Sequence, residues 1–174
     1  MGTALLAGAF GLVGAVIGSV GTLSVTWMSL RAERSREQIL RQRAIRDRQY
    51  AAHLEFLNRG ASFQDISREV VQALASGSDS EEYERLKESS DLAFVNLSDR
   101  AGAAQLAGPR ALAGAVADLN RRYKIYRKSL NDACRAVDPA DKAMALRRCR
   151  AQTNAVFRQR VSYLALAQSY FESS

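Results

Sequence analysis

The sequence predicts an all-α membrane protein: an N-terminal transmembrane helix over 1–30, a basic juxtamembrane stalk helix over 31–48 and an up-down four-helix bundle over 49–174. Three observations carry this. Thr3 to Leu30 contains no charged side chain, and Arg31, Arg34, Arg36, Arg41, Arg43, Arg46 and Arg48 follow at once. Beyond the arginines the chain is rich in Ala, Leu, Arg, Glu and Gln, with only Pro109 and Pro139 as prolines and no alternating strand pattern. Apolar residues there recur in steps of three and four between short turn-forming stretches.

The uncharged run comes first. At about 1.5 Å per residue it reaches roughly 42 Å as a helix, against a hydrocarbon core of about 30 Å, so it spans with tilt or frayed ends. Cationic residues flanking a span stay on the cytoplasmic side. The arginines therefore place the C-terminal part in the cytoplasm and the N-terminus outside, in a single-pass protein of the inner (plasma) membrane. A cleaved signal peptide needs a basic leader and a shorter apolar core. Myristoylation needs Ser or Thr where Leu6 stands. Within the run, Ala4, Ala7, Gly11, Gly14, Gly18 and Gly21 alternate steps of four and three and form one helical seam, a glycine zipper with Gly14 and Gly18 at its centre. Small residues let two membrane helices approach closely, which predicts a homo-oligomer.

Residues 31–48 carry only a thin apolar stripe (Ile39, Leu40, Ala44, Ile45), which suits a solvated stalk of about 27 Å if helical. The first bundle helix is read as Tyr50, Leu54, Leu57, Ala61, then Phe63, Ile66, Val70, Leu74. The change of phase suggests a kink or break near Asn58-Arg59-Gly60. Ser76 to Ser80 is a turn, and Ser78 with Glu81 or Asp79 with Glu82 forms a capping box for the second helix, which carries Tyr83, Leu86, Phe94, Val95 and Leu97. Pro109 fits the first turn of a third helix with the seam Leu112, Val116, Leu119, Tyr123, Tyr126, Leu130, Ala133, Val137. Asp138-Pro139 reads as N-cap and first helical residue of the last helix, with Leu146, Cys149, Thr153, Val156, Phe157, Leu164 and Phe171 as its apolar positions.

Reactive groups are sparse. His53 is the only histidine, no Glu-x-x-His pair occurs, and there is neither a phosphate-binding glycine loop nor a nucleophile motif. Cys134 and Cys149 are expected to be free thiols in a reducing cytoplasm. The sequence gives no case for catalysis, a metal or a cofactor.

The charge pattern is the remaining lead. The chain carries a net +7, and residues 110–160 hold 13 basic against 4 acidic side chains. Arg31, Arg34, Arg36, Arg41 and Arg43 serve topology or lipid headgroups. Arg121, Arg122, Lys124, Arg127 and Lys128, with Arg147, Arg148 and Arg150, form a candidate surface for an acidic partner, including the segment 79–91 of this or a neighbouring chain. The interleaved Tyr123 and Tyr126 fall on the apolar seam, which argues against a nucleic-acid surface.

Arg43 to Arg48, Tyr50, Ala51, Phe56 and Leu57, with the later Leu92-Ala93 and the Gly108-Pro109 step, give a layout that resembles uncharacterised single-pass membrane proteins of high-GC bacteria. The resemblance implies membrane location and a cytoplasmic helical bundle, and brings no activity. Together these features predict a non-enzymatic, membrane-anchored interaction or scaffold module. The alternatives are a membrane-active effector that assembles into a permeabilising pore, and a membrane-tethered nucleic-acid binder.

Overall fold

A computed structural model describes the backbone of residues 2–77 and 80–173, and the side chains of 27, 29, 31–77 and 81–172. Every element among them is an α-helix: α1 (Gly2–Ser76), α2 (Ser80–Ala107), α3 (Arg110–Arg135) and α4 (Pro139–Ser173). The chain divides into two compact units, Met1–Ile45 and Arg46–Ser174.

In the first unit the described side chains are all exposed. The Arg31 guanidinium lies 5.2 Å from the centroid of the Trp27 ring, and Arg41 pairs with Glu37 one turn away at 3.9 Å. Among the described residues no helix is long and apolar enough to cross a membrane. The span read over 3–30 falls mostly outside the residues whose side chains are described, and the whole seam Ala4, Ala7, Gly11, Gly14, Gly18 and Gly21 lies outside them.

The second unit is a four-helix bundle whose corners follow local chemistry. Gly77 adopts φ 71°, a left-handed conformation without cost for glycine, and its N–H donates to the Ala73 carbonyl at 3.1 Å to end α1. The capping boxes involving Ser78 or Asp79 lie outside the described residues. Glu81 and Glu82 occupy the first turn of α2, where carboxylates complement the helix dipole. Pro109 stands one residue earlier than expected: it is the N-cap of α3, at φ −65° and ψ 159°. The Asp138 carboxylate accepts from the Ala140 N–H at 2.7 Å and the Asp141 N–H at 3.3 Å, with Pro139 as the first residue of α4, as the sequence predicts.

Two- and three-residue connections force antiparallel neighbours. The second half of α1 runs against α2, with Glu55 paired to Arg100 at 3.2 Å, Phe63 against Phe94 and Ser67 beside Ser90. It also runs against α4, joining His53 to Tyr163 and Gln64 to Arg160. Its diagonal partner is α3, met through Phe56–Tyr123 and Phe63–Tyr126 edge contacts.

The α3 seam is buried as read, from Leu112 to Ala133; Val137 lies past the helix end and is 96% exposed. The first helix needed correction. Helix α1 is unbroken through 58–60, and its buried stripe is His53, Phe56, Leu57, Gly60, Phe63, Gln64, Ser67, Val70, Ala73, Leu74. Tyr50 and Leu54 are exposed. The apparent phase shift came from discounting His53, Gly60 and Ser67 as seam residues because they are polar or lack a side chain. Gly60 is there for contact: a Cβ at that position would lie 2.8 Å from Cζ of the fully buried Tyr123 and closer still to its hydroxyl. Val95, Phe157 and Leu164 are likewise exposed, and in α4 the buried positions are Ala145, Cys149, Val156, Tyr163 and Ala167.

Candidate functional site

The eight cationic residues picked out on the third and fourth helices are placed by the burial of their neighbours. Tyr123, Tyr126 and Leu130 turn one side of α3 into the core, so the basic residues between them are pushed to its flanks and outer face. Lys124, Arg127 and Lys128, joined by Asn131, Asp132 and Arg135, line the cleft where α3 meets α2 at Phe94. Arg127 is held most firmly. Its guanidinium donates to Asp91 at 2.8 and 3.1 Å and stacks 4.4 Å from the Phe94 ring centroid. A guanidinium fixed by a carboxylate and an aromatic face is a positioned group rather than a freely solvated one.

The other members lie elsewhere. Arg121 and Arg122 share a groove with Ile125 and Gln159 of α4, and Arg121 also pairs with Asp118 at 3.8 Å. Arg150 faces α1 across a cleft of about 520 Å³ with Arg68, Val71, Gln72, Ala75, Tyr126, Thr153 and Asn154. Arg147 and Arg148 are exposed. The cluster is therefore split over separate grooves and does not form one face. Consecutive residues of an α-helix point about 100° apart, so Arg147, Arg148 and Arg150 fan out around α4, which a count of charge along the chain does not register. The five arginines 31, 34, 36, 41 and 43 are all exposed.

The acidic segment proposed as a counterpart contributes Glu81, Glu84, Glu88 and Asp91 to a second surface cleft, together with Arg85 and Lys87. Among the described acids of this segment only Asp91 reaches the basic set, through Arg127. Lys87 is taken by Glu84 at 3.1 Å. Lys124, Lys128, Arg135, Glu81 and Glu88 make no ion pair with any described residue of the chain.

The interior also holds polar groups. His53 is buried; its Nδ1 is hydrogen-bonded to the Tyr163 hydroxyl, and its Nε2 packs beside Gly108 without a partner. Burial lowers its pKa. The Tyr123 hydroxyl is also without a partner, and burial pushes its pKa up to about 12. The Tyr126 hydroxyl lies near Thr153 and Ser67, but no bond of acceptable geometry forms. Cys134 and Cys149 are free thiols. Burial, then the neighbouring Cys134 and Asp132, push Cys149 up to about 11. Among the described residues, no group of three or more His, Cys, Asp or Glu side chains is arranged to hold a metal ion.

Two residues lay outside the sequence reading. Trp27 lies three residues before the end of the uncharged run and is 61% exposed beside Arg31. Asp91 was counted as one acid among several, since its pairing with Arg127 across 36 positions has no local signature. No protein-family model matches the chain, and neither the curated proteins nor the solved structures compared with it show a significant match.

Proposed function

We infer that the chain is a non-enzymatic, single-pass membrane protein whose helical bundle serves as an interaction or scaffold module on the cytoplasmic side. The observation that carries this is the uncharged run from Thr3 to Leu30, with arginines beginning at Arg31. An exposed tryptophan followed one turn later by an arginine is the pairing found where a membrane helix leaves the bilayer, and Trp27 with Arg31 fits it. The bundle contributes exposed charge on several faces around a core packed with aromatic rings.

Self-association follows from the Ala4 to Gly21 seam. Two chains held side by side in a membrane meet at an effective concentration far above that of free bundles, so weak contacts between the cytoplasmic units become populated. The test is disulfide-free proximity cross-linking of the full chain in native membranes. Gly14→Leu with Gly18→Leu is expected to abolish the dimer band, and an unchanged band rules out the seam.

A further inference from the structure

We propose that the α2/α3 face of the bundle is a self-complementary docking surface whose occupant is a second copy of this chain, paired about a two-fold axis parallel to the helices. The surface goes beyond the membrane seam and stands on the bundle's own charge pattern.

Two stripes of opposite sign lie side by side on this face. Residues 81–91 carry five carboxylates against two cations, and residues 121–135 carry six cations against one carboxylate. The pair Asp91–Arg127 fixes their relative height. Because α2 and α3 are antiparallel, Glu88 lies level with about residue 130 of α3 and Glu84 with about residue 134 at the same rise per residue. The acidic and basic stripes thus occupy the same stretch of the bundle axis.

That coincidence decides the symmetry. A two-fold axis parallel to the helices keeps every residue at its own height while exchanging left and right. It lays α2 of one copy on α3 of the other, so Glu88 meets Lys128 and Glu84 meets Arg135 twice over. A closed, isologous contact of this kind needs one surface to complement itself, and this surface does.

Lys124, Lys128, Arg135 and Glu88 make no ion pair with a described residue, while Glu84 would exchange its exposed pairing with Lys87 for Arg135 of the second copy. Leu92 and Val95 on α2 are 62% and 49% exposed, giving the contact an apolar component. A face of two helices with the 28 residues of α2 as its length measures about 42 by 20 Å. That is roughly 800 Å² per copy, the extent of a standard stable interface.

The experiment uses full-length chain in nonionic detergent micelles, an equal mixture of ¹⁵N-labelled and unlabelled protein, and a zero-length reagent that joins amines to carboxylates. Mass spectrometry is expected to find mixed-isotope links from Lys128 to Glu88, weakened at least tenfold in 1 M salt. In the Gly14→Leu, Gly18→Leu background at raised protein concentration, where the bundle face alone holds the pair, Lys124→Glu with Lys128→Glu, and Glu84→Lys with Glu88→Lys, should each remove homodimers tenfold or more by sedimentation. An equal mixture of the two variants should restore a dimer, which misfolded chains could not do. Absence of mixed-isotope links in the unmodified chain, or no recovery in the mixture, overturns the proposal. Repeating the measurement with Gly14→Leu and Gly18→Leu separates the two surfaces. Bundle links that persist at raised protein concentration leave this face standing without the seam, and seam cross-links without bundle links remove this face alone.

Discussion

Replacing Gly60 by alanine tests the packing of the bundle at its tightest point. Alanine in a helix interior is favoured over glycine by about 1 kcal/mol, so the substitution should stabilise wherever there is room. Around Gly102 and Gly114 nothing lies within 4 Å of an added Cβ, and Gly102→Ala and Gly114→Ala should each gain up to about 1 kcal/mol. At Gly60 the Cβ meets Tyr123 Cζ at 2.8 Å, and the Tyr123 hydroxyl closer still. That ring cannot swing away, since it is fully buried between Phe56 and Phe63. Overpacking of this kind costs up to about 3 kcal/mol, so the net effect is a loss of up to about 2 kcal/mol. For a unit of this size that upper bound corresponds to a fall in Tm of roughly 8 °C.

The partner substitution completes the cycle. Tyr123→Phe deletes a hydroxyl that has no hydrogen-bond partner, so alone it should be neutral or stabilising by up to about 1 kcal/mol. Combined with Gly60→Ala it removes the nearest atom, and the pair should show a favourable coupling of about 1–2 kcal/mol. Near-UV circular dichroism of the buried tyrosines, followed through thermal unfolding of the full chain in micelles, reports the bundle directly. A Gly60→Ala variant as stable as Gly102→Ala, or additive with Tyr123→Phe, would falsify the close approach of α1 and α3.

Three other outcomes are expected. His53 is buried and its pKa lowered, so the unfolded chain takes up a proton first; stability should be complete above about pH 6.5, fall below it by at most about 1.4 kcal/mol per unit, and level off once the folded state also titrates. A pH series on the wild type and His53→Gln checks this, the variant lacking that part of the slope. Asp138→Ala removes the acceptor for the Ala140 and Asp141 N–H groups and should cost about 1 kcal/mol in urea unfolding, with Asp138→Asn or Asp138→Ser losing much less. Cys149, at about 11 against an ordinary 9.0, carries about one hundredth of the usual thiolate at pH 8, so alkylation in the native state should be at least about 100-fold slower than in urea.

Much of the fold was legible because it depends on local signals. Asp138-Pro139 announces a helix start through the oxygen and the fixed φ that a first turn requires, and the α3 seam shows an unbroken step of three and four from Leu112 to Ala133. Helix α1 was harder. Its inward stripe includes His53, Gly60, Gln64 and Ser67, whose burial depends on partners far along the chain: Tyr163 for His53, Tyr123 for Gly60, Arg160 for Gln64 and Ser90 for Ser67. A hydrophobicity pattern gives such residues no weight. The reverse error occurred at Leu54, Phe157 and Leu164, which have core chemistry and lie at the surface.

The candidate site was legible as charge but not as geometry. Counting residues 110–160 revealed the basic excess. Only the positions of the neighbouring helices separate Arg150, facing α1, from Lys124 and Lys128, facing α2. The pairing of Asp91 with Arg127, which sets the register of the acidic and basic stripes, required the tertiary fold.

The central claim, a helix threaded through lipid with its arginines inside the cell, is tested by adding protease to intact cells and then to opened ones while following a tag at the C-terminus of the membrane-bound chain. The tag should survive outside treatment and be lost once the membrane is breached. Digestion in intact cells would contradict the orientation, and recovery of the tagged chain in the soluble fraction after carbonate washing would contradict the span itself.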